Sequence, residues 1–432
     1  MRAVRFEGIR VFRHRDFSLM WGSTFLASVA MQMQAVAIGW QMYDLTGRAL
    51  DLGLVGLAEF LPSVLLVFFT GAAADRFDRR VVAMLAIGGE ALCAGALFYM
   101  AWTGTADRLS ILAAAAGFGV ARAFVNPAVR ALIPTLVPVG ELANAIVWSS
   151  ISWQIAVVGG PAIGGFLYAA GGADASYAAA GSMLIAAAVA MAFIKRSIRA
   201  SRDGRGTAFA EIVAGLNLIF KRRLLLGAIS LDLFAVLFSS AVALLPIFAK
   251  DILQVGPDGL GLLRAAPGVG AVVMALVLAQ YPLRHSVGKI LFLAIGIFGL
   301  AAIGFGISDI FWLSLVLLTV MGAGDMVSVY IRGTIVPLAT PDRLRGRVMA
   351  VEMVFIGGSN ELGLFAAGVF AAILGGVGAV IFGGTATVMT VLVWMRLFPE
   401  LLRVERLDVA SLGFRDDEAP DKLDAATTRE GG

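Results

Sequence analysis

Ile111-Leu112-Ala113-Ala114-Ala115-Ala116-Gly117-Phe118-Gly119-Val120 is apolar at every position. A membrane barrel strand alternates polar and apolar residues in short segments. An unbroken run belongs to a helix that meets apolar surroundings on all sides. The wider stretch, 109–134, is long enough at about 1.5 Å per residue to cross a hydrocarbon core of about 30 Å. Comparable runs recur along all 432 residues, and about twelve are of spanning length. The composition agrees: 59% hydrophobic and 15% charged residues leave too little polar surface to clothe a soluble globule. The fold class expected is therefore an all-α membrane protein of twelve transmembrane helices.

Positive charge orients these helices. With both termini on one side, about 29 of the 34 Lys and Arg fall in loops on that side, and Arg48, Arg108 and Lys250 fall opposite. The positive-inside rule then puts both termini in the cytoplasm. Residues 1–16 carry five arginines and no apolar core for a signal peptidase, so the first hydrophobic segment is expected to be retained. The net charge of +4 lies in loops beside anionic lipid head groups, and it argues for membrane lipid and against nucleic acid as a partner. The single cysteine, Cys93, sits in an apolar span and has no disulfide partner in the chain.

The longest interior polar stretch, 195–223, holds Gly204, Gly206 and an amphipathic segment near Phe209–Phe220. It divides the chain into six-helix bundles at 1–194 and 224–398, followed by a largely disordered cytoplasmic tail at 399–432. The halves echo one another: Val129-Arg130 precedes Pro134 and Pro138, and Ile331-Arg332 precedes Pro337 and Pro341. Two similar bundles with a substrate site between them near the midplane suit a transporter that rocks between two states.

Gly71-Ala-Ala-Ala-Asp75-Arg76-Phe-Asp78-Arg79-Arg80 resembles the signature loop of the major facilitator superfamily, with Asp78 where the superfamily commonly has glycine. The resemblance implies that Asp75 sits at the N-terminus of a facing helix and that Arg76, Arg79 and Arg80 pair with acids across the interface between halves. Plain positive-inside anchoring is the alternative for Arg79 and Arg80. Gly160-Pro161-Ala-Ile-Gly164-Gly165 resembles the glycine-proline motif of the exporter branch, where small residues admit close helix approach. Asp44-Leu-Thr-Gly-Arg48, Ala58-Glu59-Phe-Leu-Pro62, Arg345-Gly-Arg347-Val and Gly358-Ser-Asn360-Glu361-Leu-Gly363 extend the similarity, which is nearest to the enterobactin exporters and related proton-driven drug and siderophore exporters. Related sequences of this kind carry chemically different cargo, so the substrate class stays open between drugs and siderophores.

Ionisable residues within spans cost about 2.5–3.5 kcal/mol each at a helix centre, and each calls for a function. Glu59, Asp232, Glu361 and Asp325 are the candidates for carrying a proton, and Arg122 and Arg264 are their candidate partners. Static pairing of Glu59 with Arg122, or of Asp325 with Arg264, is the competing expectation. Glu90, read as peripheral, and Glu352, read as a helix-start acid, rank below them. Gln32, Gln34, Trp153, Gln154 and Asn360 are candidates for a mixed polar and apolar substrate cavity, against the alternative that the tryptophan is an interfacial anchor.

The function expected is a proton-coupled exporter of a small amphiphilic molecule in a bacterial inner membrane, working as a monomer without a cofactor. A nutrient symporter on the same fold and a transport-dead sensor remain alternatives. An intramembrane enzyme is disfavoured, because His14 and His285 are the only histidines and neither has metal-ligand spacing.

Overall fold

The computed structural model describes residues 7–66, 69–70, 76–195, 208–239 and 241–408, without the side chains of residues 7, 8, 208–214 and 343. Gly71 and Asp75 of the signature loop lie outside the described residues, as do 196–207 of the linker and 409–432 of the tail. Every regular element among the described residues is helical. The longer helices are α1 (Arg15–Thr46), α2 (Ala49–Leu65), α3 (Arg79–Trp102), α4 (Arg108–Leu136), α5 (Leu142–Ala192), α6 (Ala208–Lys221), α7 (Arg223–Phe238), α8 (Pro257–Gln280), α9 (Val287–Ile307), α10 (Phe311–Leu338) and α11 (Asp342–Leu397).

Local chemistry sets several of these boundaries. Asp107 caps α4 with a reciprocal box: its carboxylate accepts from the Ser110 N–H at 2.8 Å, and the Ser110 hydroxyl accepts from the Asp107 N–H at 2.9 Å. Asp78 caps α3 by accepting from the Arg80 N–H at 3.0 Å, so the residue that departs from the superfamily's glycine starts a helix. Gly47 closes α1 in the left-handed region, its N–H donating to Tyr43 O at 2.8 Å.

Among the described residues, eight helical stretches are long and apolar enough to cross a membrane. Two of them are too long to cross only once: α5 has 51 residues and α11 has 56, about 75–85 Å if straight. Each turns back at a glycine of positive φ, Gly172 in α5 and Gly375 in α11. Across the first turn the Ser176 hydroxyl donates to Gly164 O at 3.3 Å, and across the second the Phe370 and Phe382 rings stand 4.8 Å apart. Each pair is twelve residues apart, about 18 Å on a continuous helix. The two arms of α5, the two arms of α11 and the remaining helices other than α6 make twelve apolar segments among the described residues. The seventh was expected as one helix over 224–249. It breaks instead after Phe238, and the chain resumes with a 3-10 turn and a short π-helix, Phe248–Ile252.

Helices α1 to α5 pack mainly with one another, as do α7 to α11, and the two sets meet along α5 with α8 and α2 with α11. Both seams are backbone against backbone. A Cβ on Gly165 would stand 2.5 Å from Pro257 O and 2.9 Å from Gly261 Cα; one on Gly53 would stand 2.9 Å from Phe365 O. Small residues are what permit such approach, in keeping with packing as a main driver of helix association in lipid. Both seams lie toward the end of the bundle that holds the Gly172 and Gly375 turns, called here the far end; α6 lies toward the opposite, linker end, where Gly215 packs on the backbone of Arg347 in α11. Side chains add to the closure at the far end: Lys250 bonds Asp44, and the Tyr43 hydroxyl donates to Asp251. The linker end is bridged more lightly, by Arg130 Nη1 of α4 at 2.9 Å from Met353 Sδ of α11.

Candidate functional site

Five charged side chains converge where the seams end. Glu59 of α2 and Arg122 of α4 pair at 2.5 Å between Oε2 and Nη1. The α2 and α4 backbones touch here, since a Cβ on Gly119 would fall 2.1 Å from Glu59 O, and the Ser63 hydroxyl donates to Gly119 O at 3.0 Å. Arg122 Nε faces Glu90 Oε1 of α3 at 3.7 Å. The second half supplies Arg264 of α8 and Glu361 of α11, each in electrostatic range of Glu59 and Arg122. Glu361 lies beside Gly56 of α2, and Arg264 donates to Ala35 O of α1 at 3.3 Å, so both reach across the division.

The approach from the linker end is traced by helical register. Arg122, Asn126 and Arg130 follow one face of α4, and Met353, Gly357 and Asn360 follow one face of α11. The Arg130–Met353 contact sets these faces opposite each other, and Asn126 and Asn360 are both exposed. Gln32 lies against Gly160 and shares the α1 face of Ala35. Gln154 is half-buried one turn from Val157 and Val158, which touch Gly268 of α8. The structure thus brings Gln32, Gln154 and Asn360 toward the charged cluster. Gln34 departs from expectation: it is 1% exposed on the α1 stripe that continues to Gln41, which accepts from Tyr177 of α5 inside the first half. Trp153 is exposed.

A second network fills the other half. Arg332 of α10 pairs with Asp232 of α7, and its Nε lies 3.7 Å from Glu352 Oε1. The Ser328 hydroxyl adds a 3.4 Å hydrogen bond to Asp232. Asp325 does not meet Arg264, because α10 turns it toward Asp232 and Arg332; it lines a cavity of about 10 Å³ with Asp232, Ser328 and Phe298, room for about one water molecule. Asp232, expected as an unpaired acid, is therefore a partner of an arginine that was read only as part of the loop echo.

One other expectation needs correction, and the arginines of the signature loop take the following places. Glu90 is not peripheral: it is 5% exposed and faces Arg122. Arg80 is tied to its own half, donating to Ile194 O, and Arg79 Nη1 donates to Ala131 O of α4 at 3.1 Å. Arg76 is exposed. The glycine-proline motif acts in packing: Gly160 and Gly164 lie against α1, and Pro161 and Gly165 against Gly261 of α8. No group of three or more His, Cys, Asp or Glu with the arrangement of a metal site occurs among the described residues.

A family model described as transmembrane secretion effector matches residues 8–427. The chain is 27% identical over 366 residues to the multidrug efflux pump Tap of Mycobacterium tuberculosis, covering 80% of this chain and 84% of that protein. It is 25% identical over 377 residues to the enterobactin exporter EntS of Salmonella typhimurium, covering 85% and 86%. Among solved structures, a bacterial homolog of the human lysosomal transporter Spinster superposes with a TM-score of 0.67 at 14% identity, over 90% of this chain and 96% of that one. The nucleoside transporter NupG gives 0.65 at 15% identity, over 89% and 100%.

Proposed function

Because this chain belongs to the transmembrane secretion effector family of the major facilitator superfamily, and is thus a multi-pass membrane transporter rather than an enzyme, we propose that it exports a small amphiphilic molecule in exchange for protons. The observation that carries this reading is the division of the charged cluster. Glu59, Glu90 and Arg122 move with the first half and, all ionised, sum to −1; Arg264 and Glu361 move with the second and sum to zero. Rocking about the seams separates the two sets, and each must then tolerate a poorly hydrated setting with its own net charge. One proton on Glu59 or on Glu90 leaves both sets neutral, whereas a proton on Glu361 alone leaves the second at +1; of the two first-half acids, Glu59 is the one in electrostatic range of Arg264 and Glu361. We therefore assign the coupling proton to Glu59, with Glu361 and Arg264 as the moving charges that sense which way the halves face. Asp232, locked to Arg332 within one half, serves stability in this scheme.

Direction and cargo rest on other supports. The excess of arginine in the loops of the linker end supports a cytoplasmic position for that end in a bacterial inner membrane, and the named relatives are an efflux pump and an exporter. Drugs and siderophores are accordingly the cargo classes to try, in a monomer whose two halves suffice for alternating access.

The test is transport in everted membrane vesicles carrying an acid interior, with ethidium, tetracycline and enterobactin offered in turn. Addition of a cargo is expected to dissipate the pH gradient, and Glu59→Gln and Glu361→Gln to abolish that response. If every cargo leaves the gradient untouched while one is still taken up, antiport is refuted and the chain moves its solute without counter-flow of protons.

A further inference from the structure

Arg122 is unevenly held. Its Nη1 is bound at 2.5 Å by Glu59, whereas its Nε is a buried donor with no hydrogen-bond partner, 3.7 Å from Glu90 Oε1. A buried N–H left unmade is unfavourable, and the only displacement required to satisfy this one is less than an ångström toward Glu90. Phe118, fully buried, lies beneath the guanidinium at 5.5 Å from its ring centroid, an apolar face that offers Arg122 no competing acceptor. Glu90 itself is fixed by close packing of α3 on α4: a Cβ on Gly117 would meet Cys93 Sγ at 2.6 Å, and one on Gly89 would touch Ala121. Glu59, Glu90 and Arg122 all belong to the first half, so their geometry survives rocking, while Arg264 and Glu361 depart.

We propose that Glu90 is the standing counter-ion of Arg122, a positioning residue that holds the guanidinium in place while Glu59 takes up and releases its proton. The inference rests on the coupling role assigned to Glu59 above. When Glu59 is protonated its hold on Arg122 weakens, and the guanidinium closes on Glu90; when the proton leaves, Arg122 returns. The neighbouring charges are accounted for. Glu59 and Arg122 face Glu90 from α2 and α4, and Arg264 and Glu361 face Glu59 from the second half. Cys93 lies one turn along α3, α1 carries no titratable side chain between Asp16 and Tyr43, and on the second arm of α5 Asp174 and Tyr177 lie beyond the Ala94–Gly181 contact, toward the Gly172 turn.

The sign of the effect follows. Removing the Glu90 charge leaves Arg122 with Glu59 as its one partner in the half, which favours the Glu59 anion; it also removes repulsion between the two carboxylates. Both changes move Glu59 protonation to lower pH. The measurement is infrared titration of the purified protein in lipid, following the protonated-carboxyl band that Glu59→Gln removes, so no cargo is needed. Glu90→Gln is expected to lower the midpoint of that band, and Glu90→Asp, which keeps the charge, to restore most of the shift. An unchanged midpoint in a folded Glu90→Gln protein overturns this inference alone. Absence of any titrating Glu59 band in the wild type removes the proton role of Glu59 and the inference with it.

Discussion

Arg332 and Asp232 have side chains only 6% and 7% exposed, and the other ion-pair partner of Arg332 is Glu352, 3.7 Å from its Nε. Truncating Asp232 leaves Arg332 buried with only the more distant Glu352, a loss toward the ~3–5 kcal/mol of a broken buried pair. Asp232→Ala is therefore expected to lower the melting temperature of the purified protein markedly, and the double variant Asp232→Asn with Arg332→Met to recover much of it. A single variant that melts like wild type would show that the pair does not hold α7 to α10. At Asp107 the cap is exposed and acts only on the first turn of α4. Its hydrogen bonds with Ser110 hold the carboxyl below the usual aspartate range. A depressed value in the fold means that the cap stabilises above the unfolded-state range and is lost as pH falls through the folded one. Hydrogen exchange at the Ser110 amide should accordingly slow less than expected below that point, and Asp107→Ala should remove the dependence.

At the scale of elements, the α5–α8 seam has no space for a side chain at Gly165 or Gly261. Gly165→Ala must push the helices apart or bend α5, and overpacking of this kind costs about 1–3 kcal/mol. The expected result is weakened closure of the far end, read as faster labelling of a cysteine placed at Asp258 by an impermeant maleimide. Gly53→Ala should act alike through the α2–α11 seam, and labelling rates equal to those of the parent would argue that the seams do not set the state of the far end. Pro161 sits inside α5 between these contacts, where its missing N–H allows the helix to bend around α8.

The whole molecule closes its far end with the crossed pairs Lys250–Asp44 and Tyr43–Asp251, set at the ends of α1 and of the broken seventh segment. The short π-helix that carries Lys250 and Asp251 presents both to α1. A short bis-maleimide joining Asp44→Cys to Lys250→Cys, in a Cys93→Ser background, should halt transport if the halves must part at this end. Continued transport after complete cross-linking would rule out rocking about these seams.

Unbroken apolar runs, the bias of Lys and Arg toward one set of loops, and the motif at Gly160–Gly165 are local properties, so the sequence by itself determined the helical membrane class, the two-half plan and the family. It also named Glu59, Arg122, Arg264 and Glu361, because a charge in an apolar run is conspicuous wherever it points. Partners were another matter. Whether Arg264 meets Asp325 or Glu361, whether Glu90 looks outward or toward Arg122, and whether Gln34 lines a cavity or the first half's interior depend on helix rotation and on which helices adjoin. Those are set by backbone contacts as local as Gly119 against Glu59 and Gly165 against Gly261. A hydrophobic run that is apolar all round carries no preferred face, and only tertiary packing, through the few small residues where backbones touch, decided which charges meet.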